Sequence, residues 1–221
     1  MNLPTKITFS RIIIVILLFV SLFVLTCIPE ISNYNFTVFG PENAPVTIIS
    51  LVVAIIFIVG SATDWLDGFL ARRNNQVTTL GKFLDPIADK MLVNSTLIFL
   101  CAIPALPIFK GQDILTLNVF VVIVFIVRDL IVDAVRFMAA TNGAKVISAS
   151  IFGKLKTIFQ MIAIPVYLLN GFPFSYFDRG WPEGLRIADI LIYIALFFSV
   201  LSGIIYLVKN KDAFLGKKSD K

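Results

Sequence analysis

Six apolar runs follow one another along the chain, separated by short polar stretches. They cover about residues 12–28, 45–63, from Asp85 to the Pro104/Pro107 break, 114–134 (continuing to Met138), 146–169 and 185–208. A bilayer core of ~30 Å takes about 20 helical residues to cross, so each run predicts a spanning helix. The opening MNLPTKITFSR is mildly basic and amphipathic, and predicts an interfacial helix leading into the first span. No small-residue cleavage site ends the apolar run behind it, so a removed leader is not expected. Residues 29–44 (PEISNYNFTVFGPENA) and 171–184 (GFPFSYFDRGWPEG) are polar, hold Pro and Gly, and predict loops. The expected fold class is an all-α integral membrane protein. It has one domain over residues 1–221, with six transmembrane helices plus a short N-terminal interfacial helix.

Composition agrees with that pattern. The chain is 58% hydrophobic and 15% charged, with mean hydropathy +0.92, which excludes an ordinary soluble domain. It has no His, so no imidazole serves as base, nucleophile or metal ligand. Its two Cys, Cys27 and Cys101, lie in apolar runs without partner spacing, and read as free thiols. The net charge of +5 fits loop asymmetry and anionic lipid, and nucleic acid is not an expected partner. Lys6, Arg11, Arg72, Arg73, Lys82, Arg136, Lys145, Lys154, Lys156 and the tail lysines gather on one membrane face. The other face carries little beyond Lys110, Arg179 and Arg186. The positive-inside rule makes the basic face cytoplasmic and puts both termini there.

Against this hydrocarbon background, DWLDGFLARRNNQVTTLGKFLDPIADK (residues 64–90) holds four carboxylates: Asp64, Asp67, Asp85 and Asp89. A charged carboxylate at membrane depth costs about 2.5–3.5 kcal/mol on insertion scales, and faces the protein interior or water. Asp64 and Asp67 are spaced i, i+3 at a helix end, and Asp85 and Asp89 i, i+4 at the start of the next. Pro86 is tolerated in a first helical turn. The short polar link RRNNQVTTLGK predicts an antiparallel hairpin with both pairs at one membrane face. Isolated acids at helix ends are usually solvated or helix-dipole partners, but four so close together need a cation. An all-oxygen set suits Mg²⁺ or Mn²⁺, sometimes Ca²⁺. Four carboxylates can hold two such ions ~3.5–4 Å apart, an arrangement suited to phosphoryl transfer. Gly68, Ala71 and Gly81 would let a flat group approach the backbone.

A second constellation is basic. Arg128 and Arg136 are eight apart on a helix and share a face. Asp129 and Asp133 lie in the same stretch. Lys154 and Lys156 open the fifth span in SIFGKLKTIFQM. Together they read as a phosphate pocket, since Arg meets phosphate with paired N–H donors. The plainer readings are that the lysines snorkel to the interface, or that Arg128 pairs only with Asp129 or Asp133.

Asp64, Asp67, Gly68, Ala71, Arg72, Gly81, Asp85 and Asp89 fit D-x-x-D-G-x-x-A-R-x8-G-x3-D-x3-D without a gap. The chain therefore resembles the CDP-alcohol phosphotransferase family. The segments NLPTKITFSR, RDLIVDAVR and GKLKTIFQM also look like the family's bacterial phosphatidylglycerophosphate synthase branch, and that likeness spans most of the chain.

The resemblance implies a six-helix membrane enzyme of a bacterial plasma membrane, with its active site on the cytoplasmic side. It implies transfer of a phosphatidyl group from CDP-diacylglycerol to glycerol 3-phosphate, with release of CMP. The metal ligands would be Asp64, Asp67, Asp85 and Asp89, around two Mg²⁺ or Mn²⁺ ions, with Asp89 also the catalytic base. The CDP-diacylglycerol site would be Asp67, Gly68, Ala71, Arg72, Gly81 and Asp85. The acceptor phosphate would meet Arg128, Arg136, Lys154 and Lys156, and Thr8 and Arg11 would close the site. Relatives in the family are homodimers, so a homodimer in membrane lipid is the expected assembly. Competing acceptors are phosphatidylglycerol (a cardiolipin synthase), inositol phosphate and serine. From another class, a divalent-cation transporter is a rival, although no matching acids appear near the opposite face.

Overall fold

The computed structural model describes residues 3–27, 36–42, 44–73, 79–141, 151–178 and 180–210; within the helices, side chains are not described for 3–7, 22, 25–27, 64–73, 79–83, 85 and 139–141. The chain is mostly helical and divides into two compact units: Met1–Leu117 with Ile164–Trp181, and Asn118–Ala163 with Pro182–Lys221.

In the first unit three long helices pack on one another: α1 (Leu3–Cys27), α2 (Ile48–Arg73) and α3 (Thr79–Ala102). Their buried faces include Val15 and Leu18 of α1, Phe57 of α2, and Leu92 and Leu97 of α3. Ile13, Leu17, Val20 and Phe23 of α1 are exposed instead. Such an apolar outer face suits a helix that meets lipid.

The predicted interfacial helix is not a separate element. α1 runs without a break from Leu3 to Cys27, because MNLPTKITFSR holds no breaker past Pro4, and Pro is tolerated near a helix start. The expected 29–44 loop also departs from plan. Thr37–Phe39 (β1) pairs antiparallel with Val46–Thr47 (β2), Thr37 opposite Thr47. Gly40 makes the turn at φ 110°, where a Cβ would lie 2.6 Å from the Ala44 carbonyl oxygen. The second helix begins at Ile48 rather than Pro45. Thr47 caps it, its Oγ1 accepting the Ser50 N–H at 3.3 Å.

Pro86 is not in a first turn. α3 starts at Thr79, so Pro86 sits inside it, where it removes one helical hydrogen bond. The helix extends upstream because TLGKFL contains no stop signal stronger than one Gly. After α3, two 3₁₀ turns (Ile103–Ala105 and Pro107–Phe109) carry the Pro104/Pro107 break.

Asn170 ties the unit's connections together. Its Oδ1 accepts the Leu115 N–H at 2.8 Å, and its Nδ2 donates to the Pro45 and Asp113 carbonyls at 2.9 and 2.8 Å. Its own backbone is left-handed, φ 53°, a conformation Asn tolerates better than most residues. The 171–184 stretch is more than a loop, since it contains the one-turn helix α6 (Ser175–Asp178).

The second unit contains α4 (Val119–Thr141), the first part of α5 (Ile151–Leu168) and α7 (Ile187–Lys209). α4 begins five residues later than the apolar run suggests. The Asn118 Oδ1 accepts the Phe120 N–H at 2.9 Å and fixes the start there. The preceding residues are not helical, and the Leu117 N–H bonds to the Leu100 carbonyl at 3.3 Å. α4 and α7 run in the same direction: Arg128 meets Ser199 and Ser202, while Val132 and Val135 pack against Tyr206. α5 joins α7 through Phe198, stacked on Phe152 and Phe159 with centroids 6.1 and 5.9 Å apart.

Among the described residues, three helices are long and apolar enough to cross a membrane: Pro86–Ala105, Ile151–Leu168 and Ile187–Lys209. Thr8–Ser21 and Ile48–Thr63 are shorter apolar helices. α4 is 23 residues long but carries Arg128, Asp129, Asp133 and Arg136, which keep it outside that apolar class.

Candidate active site

The eight motif positions lie on two helices, 64, 67, 68, 71 and 72 in the last turns of α2, and 81, 85 and 89 in the first turns of α3. One contact sets their register. A Cβ on Gly60 would come 2.9 Å from Leu92 Cδ2, so the two helices approach closely there. Gly60 is thirteen residues before the end of α2, and Leu92 thirteen after the start of α3, as in an antiparallel hairpin. Position 64 is four residues past Gly60, and position 89 three before Leu92; positions 67 and 85 are each seven away. At ~1.5 Å rise per residue, 64 and 89 fall at one backbone level, and 67 and 85 at another about one turn on.

Of the four aspartates, only Asp89 has a described side chain. It is half-buried, beside fully buried Ala88. The side chains at Asp64, Asp67, Gly68, Ala71, Arg72, Gly81 and Asp85 lie outside the described set. Among the described residues no three His, Cys, Asp or Glu side chains gather to hold a metal. The donor set itself fits a hard cation: two helices carry carboxylates at matched levels, and the motif stretch holds neither His nor Cys.

The polar groups on the approach to Asp64 bond within their own helix. Ser61 Oγ donates to the Phe57 carbonyl at 2.8 Å, and Thr63 Oγ1 to that of Val59 at 2.9 Å. Beside them, a largely apolar cavity of about 230 Å³ is lined by Arg11, Val15, Ile56, Gly60, Thr63 and Leu92. Thr8 and Arg11 are both buried in the first unit. Arg11 thus borders the same space as Thr63, the residue before Asp64.

The basic residues belong to the second unit, and they fall into two kinds. Arg128 and Lys156 are engaged. Arg128 donates from Nε to the Ser199 carbonyl (3.2 Å), from Nη1 to Asp129 Oδ1 (2.8 Å) and from Nη2 to Ser202 Oγ (2.6 Å). Lys156 Nζ donates to both Asp129 oxygens, at 3.1 and 3.0 Å. Gly203 makes room for this, since a Cβ there would lie 3.1 Å from Arg128 Cγ. Arg136 and Lys154 are exposed. The Arg136 guanidinium carbon lies 5.7 Å from the centroid of the buried Tyr206 ring. Among the described residues neither Arg136 nor Lys154 meets a carboxylate.

Ser199, Ser202, Gly203 and Tyr206 are missing from the sequence-derived site. Their signal is present in the apolar α7: three small residues at i, i+3 and i+4 mark a face where another helix can approach closely. Asp129 stood in the sequence as an alternative partner for Arg128, and it binds Lys156 as well.

A family model described as CDP-alcohol phosphatidyltransferase matches residues 1–201. The chain belongs to this family. As a CDP-alcohol phosphatidyltransferase it is a transferase, and all eight motif positions lie inside the matched region. A CDP-diacylglycerol–glycerol-3-phosphate 3-phosphatidyltransferase of Bacillus subtilis is 37% identical over 212 residues, 96% of each chain. One of Haemophilus influenzae is 34% identical, over 77% of this chain and 83% of its own. A cardiolipin synthase (CMP-forming) of rice is 36% identical, over 70% of this chain and 46% of its own.

Proposed function

We propose that this protein transfers the phosphatidyl group of CDP-diacylglycerol to glycerol 3-phosphate, giving phosphatidylglycerophosphate and CMP. The observation that carries the reading is the end-to-end likeness to the Bacillus subtilis enzyme of that name, 37% identical over 96% of both chains. The basic groups of the second unit support it, because this acceptor brings a phosphate of its own.

In this reading all six long helices span the membrane, with both termini and the site on the cytoplasmic face of a bacterial plasma membrane. α4 crosses because its charged groups Arg128 and Asp129 satisfy one another and α7. The active form is a homodimer. The cytidine lies against Gly68, Ala71 and Gly81, and Arg72 meets the donor phosphates. Asp64, Asp67, Asp85 and Asp89 would hold two Mg²⁺ or Mn²⁺ ions, which when bound neutralise the pyrophosphate and the CMP leaving group. Asp89 takes the proton of the acceptor's primary hydroxyl. That oxygen then bonds to the β-phosphorus as the bond to the CMP oxygen breaks. Arg128, Arg136, Lys154 and Lys156 hold the acceptor phosphate, and so orient the hydroxyl. Thr8 and Arg11 close the site from the α1 side.

A second reading keeps the chemistry and changes the acceptor to phosphatidylglycerol, as the name of the rice relative suggests. The test is CMP release by purified protein with CDP-diacylglycerol and Mg²⁺, offering glycerol 3-phosphate, inositol phosphate, serine or phosphatidylglycerol. Release with glycerol 3-phosphate alone is expected. Release only with phosphatidylglycerol would replace this reading by the second.

A further inference from the structure

The basic cluster of the second unit is built around a carboxylate that the transfer itself does not use. Asp129 is 8% exposed and Lys156 7%. Both Asp129 oxygens face the Lys156 ammonium, and Oδ1 also accepts from Arg128. A protonated lysine at such burial is unfavourable alone, and turns toward water or sheds its proton. Asp129 removes that penalty, and by meeting Nζ with two oxygens it fixes where the ammonium sits.

Arg128 is held differently. Two of its donors are anchored on α7 by Ser199 and Ser202, so its plane is set without Asp129. Its bonds use three of five N–H groups, leaving two uncommitted among the described residues.

We propose that Asp129 is a positioning residue for the acceptor. It holds the Lys156 ammonium where the phosphate of glycerol 3-phosphate binds, without touching the acceptor. This rests on the proposed reading of Lys156 and Arg128 as phosphate ligands.

The test compares Lys156→Met, Asp129→Asn and the double variant, as purified full-length protein, by KM for each substrate and by kcat. Both single variants are expected to raise the glycerol 3-phosphate KM by about tenfold or more, leaving kcat and the CDP-diacylglycerol KM nearly unchanged. The double variant should match Lys156→Met, because Asp129 acts through the lysine. If Lys156→Met leaves the acceptor KM unchanged, the phosphate-pocket reading fails, and this inference with it. If Lys156→Met raises it and Asp129→Asn does not, the pocket stands and this inference is overturned. Equal damage to both substrates and to kcat in Asp129→Asn would make the residue merely structural, and also overturns it. Should Asp129→Asn not fold, the double variant, which leaves no lone charge at Lys156, decides. A tenfold worse acceptor KM than Lys156→Met contradicts the proposal.

Discussion

Asn170 in the first unit and Asp129 in the second are both buried polar residues on which several partners converge, and they are satisfied in opposite ways. Asn170 is neutral, and its three bonds all go to backbone groups from distant parts of the chain. Its amide uses both donors, and a chain connection is the only thing it holds. Asp129 is charged, and its described bonds all go to side chains, on α4 and α5. Its cluster closes no loop, and gathers the Lys156 ammonium and the Arg128 guanidinium on one carboxylate. A neutral hub whose bonds are filled stabilises a fold. A charged hub points to a further use, because ionic burial is a poor way to add stability alone.

That contrast can be broken in several places. The largest effect is expected at Asp89, the described charge of the first unit's motif. Asp89→Asn should lower kcat by ~10²–10⁴-fold, with CDP-diacylglycerol binding and thermal stability retained; near-normal turnover would remove it from the base role. Next comes Asn170→Ala, which should cost about 2–4 kcal/mol of stability for three lost bonds, visible as a lower Tm in detergent. Both KM values of the surviving folded protein should stay unchanged, and a selective change in the acceptor KM would undo the distinction between the two hubs.

Arg136→Ala is expected to raise the glycerol 3-phosphate KM about tenfold, through loss of a charge-assisted donor, with the donor KM untouched. An effect confined to the lipid donor would move Arg136 out of the acceptor pocket. The smallest effect is expected from Tyr206→Leu. It takes the aromatic face from under Arg136 and keeps an apolar side chain against Val132 and Val135; the contact is worth about 0.5–1 kcal/mol at an exposed cation, so the acceptor KM should rise about two- to fivefold. A larger loss would give the buried Tyr206 hydroxyl a part of its own.

Much of this was legible in the chain. The 26-residue motif, the helical class and the basic stretch around Arg128 follow from spacing and from charges set in hydrocarbon, where each is costly enough to be a signal. Element boundaries were less legible. Asn118 and Thr47 decide where apolar runs become helix, and Asn170 ties down the chain beyond the end of α5; each acts through hydrogen bonds that apolar periodicity does not register. Pro86 misled for a related reason, since a first-turn proline and an interior one look alike until the helix start is known. Ser199, Ser202 and Gly203 stayed hidden because small residues in a membrane helix announce close packing without naming the partner. The division of four cations into an engaged pair and an exposed pair depends on Asp129 reaching α5, a contact between residues twenty-seven positions apart.

The central claim is that the second unit reads a phosphate on the acceptor. The most direct measurement is the ratio of CMP release with glycerol 3-phosphate to that with plain glycerol, for the unaltered protein and for Lys156→Met. The expected preference for the phosphorylated acceptor is about a hundredfold or more, falling at least tenfold in the variant. Equal use of the two acceptors, or a preference that survives the loss of Lys156 intact, would contradict it.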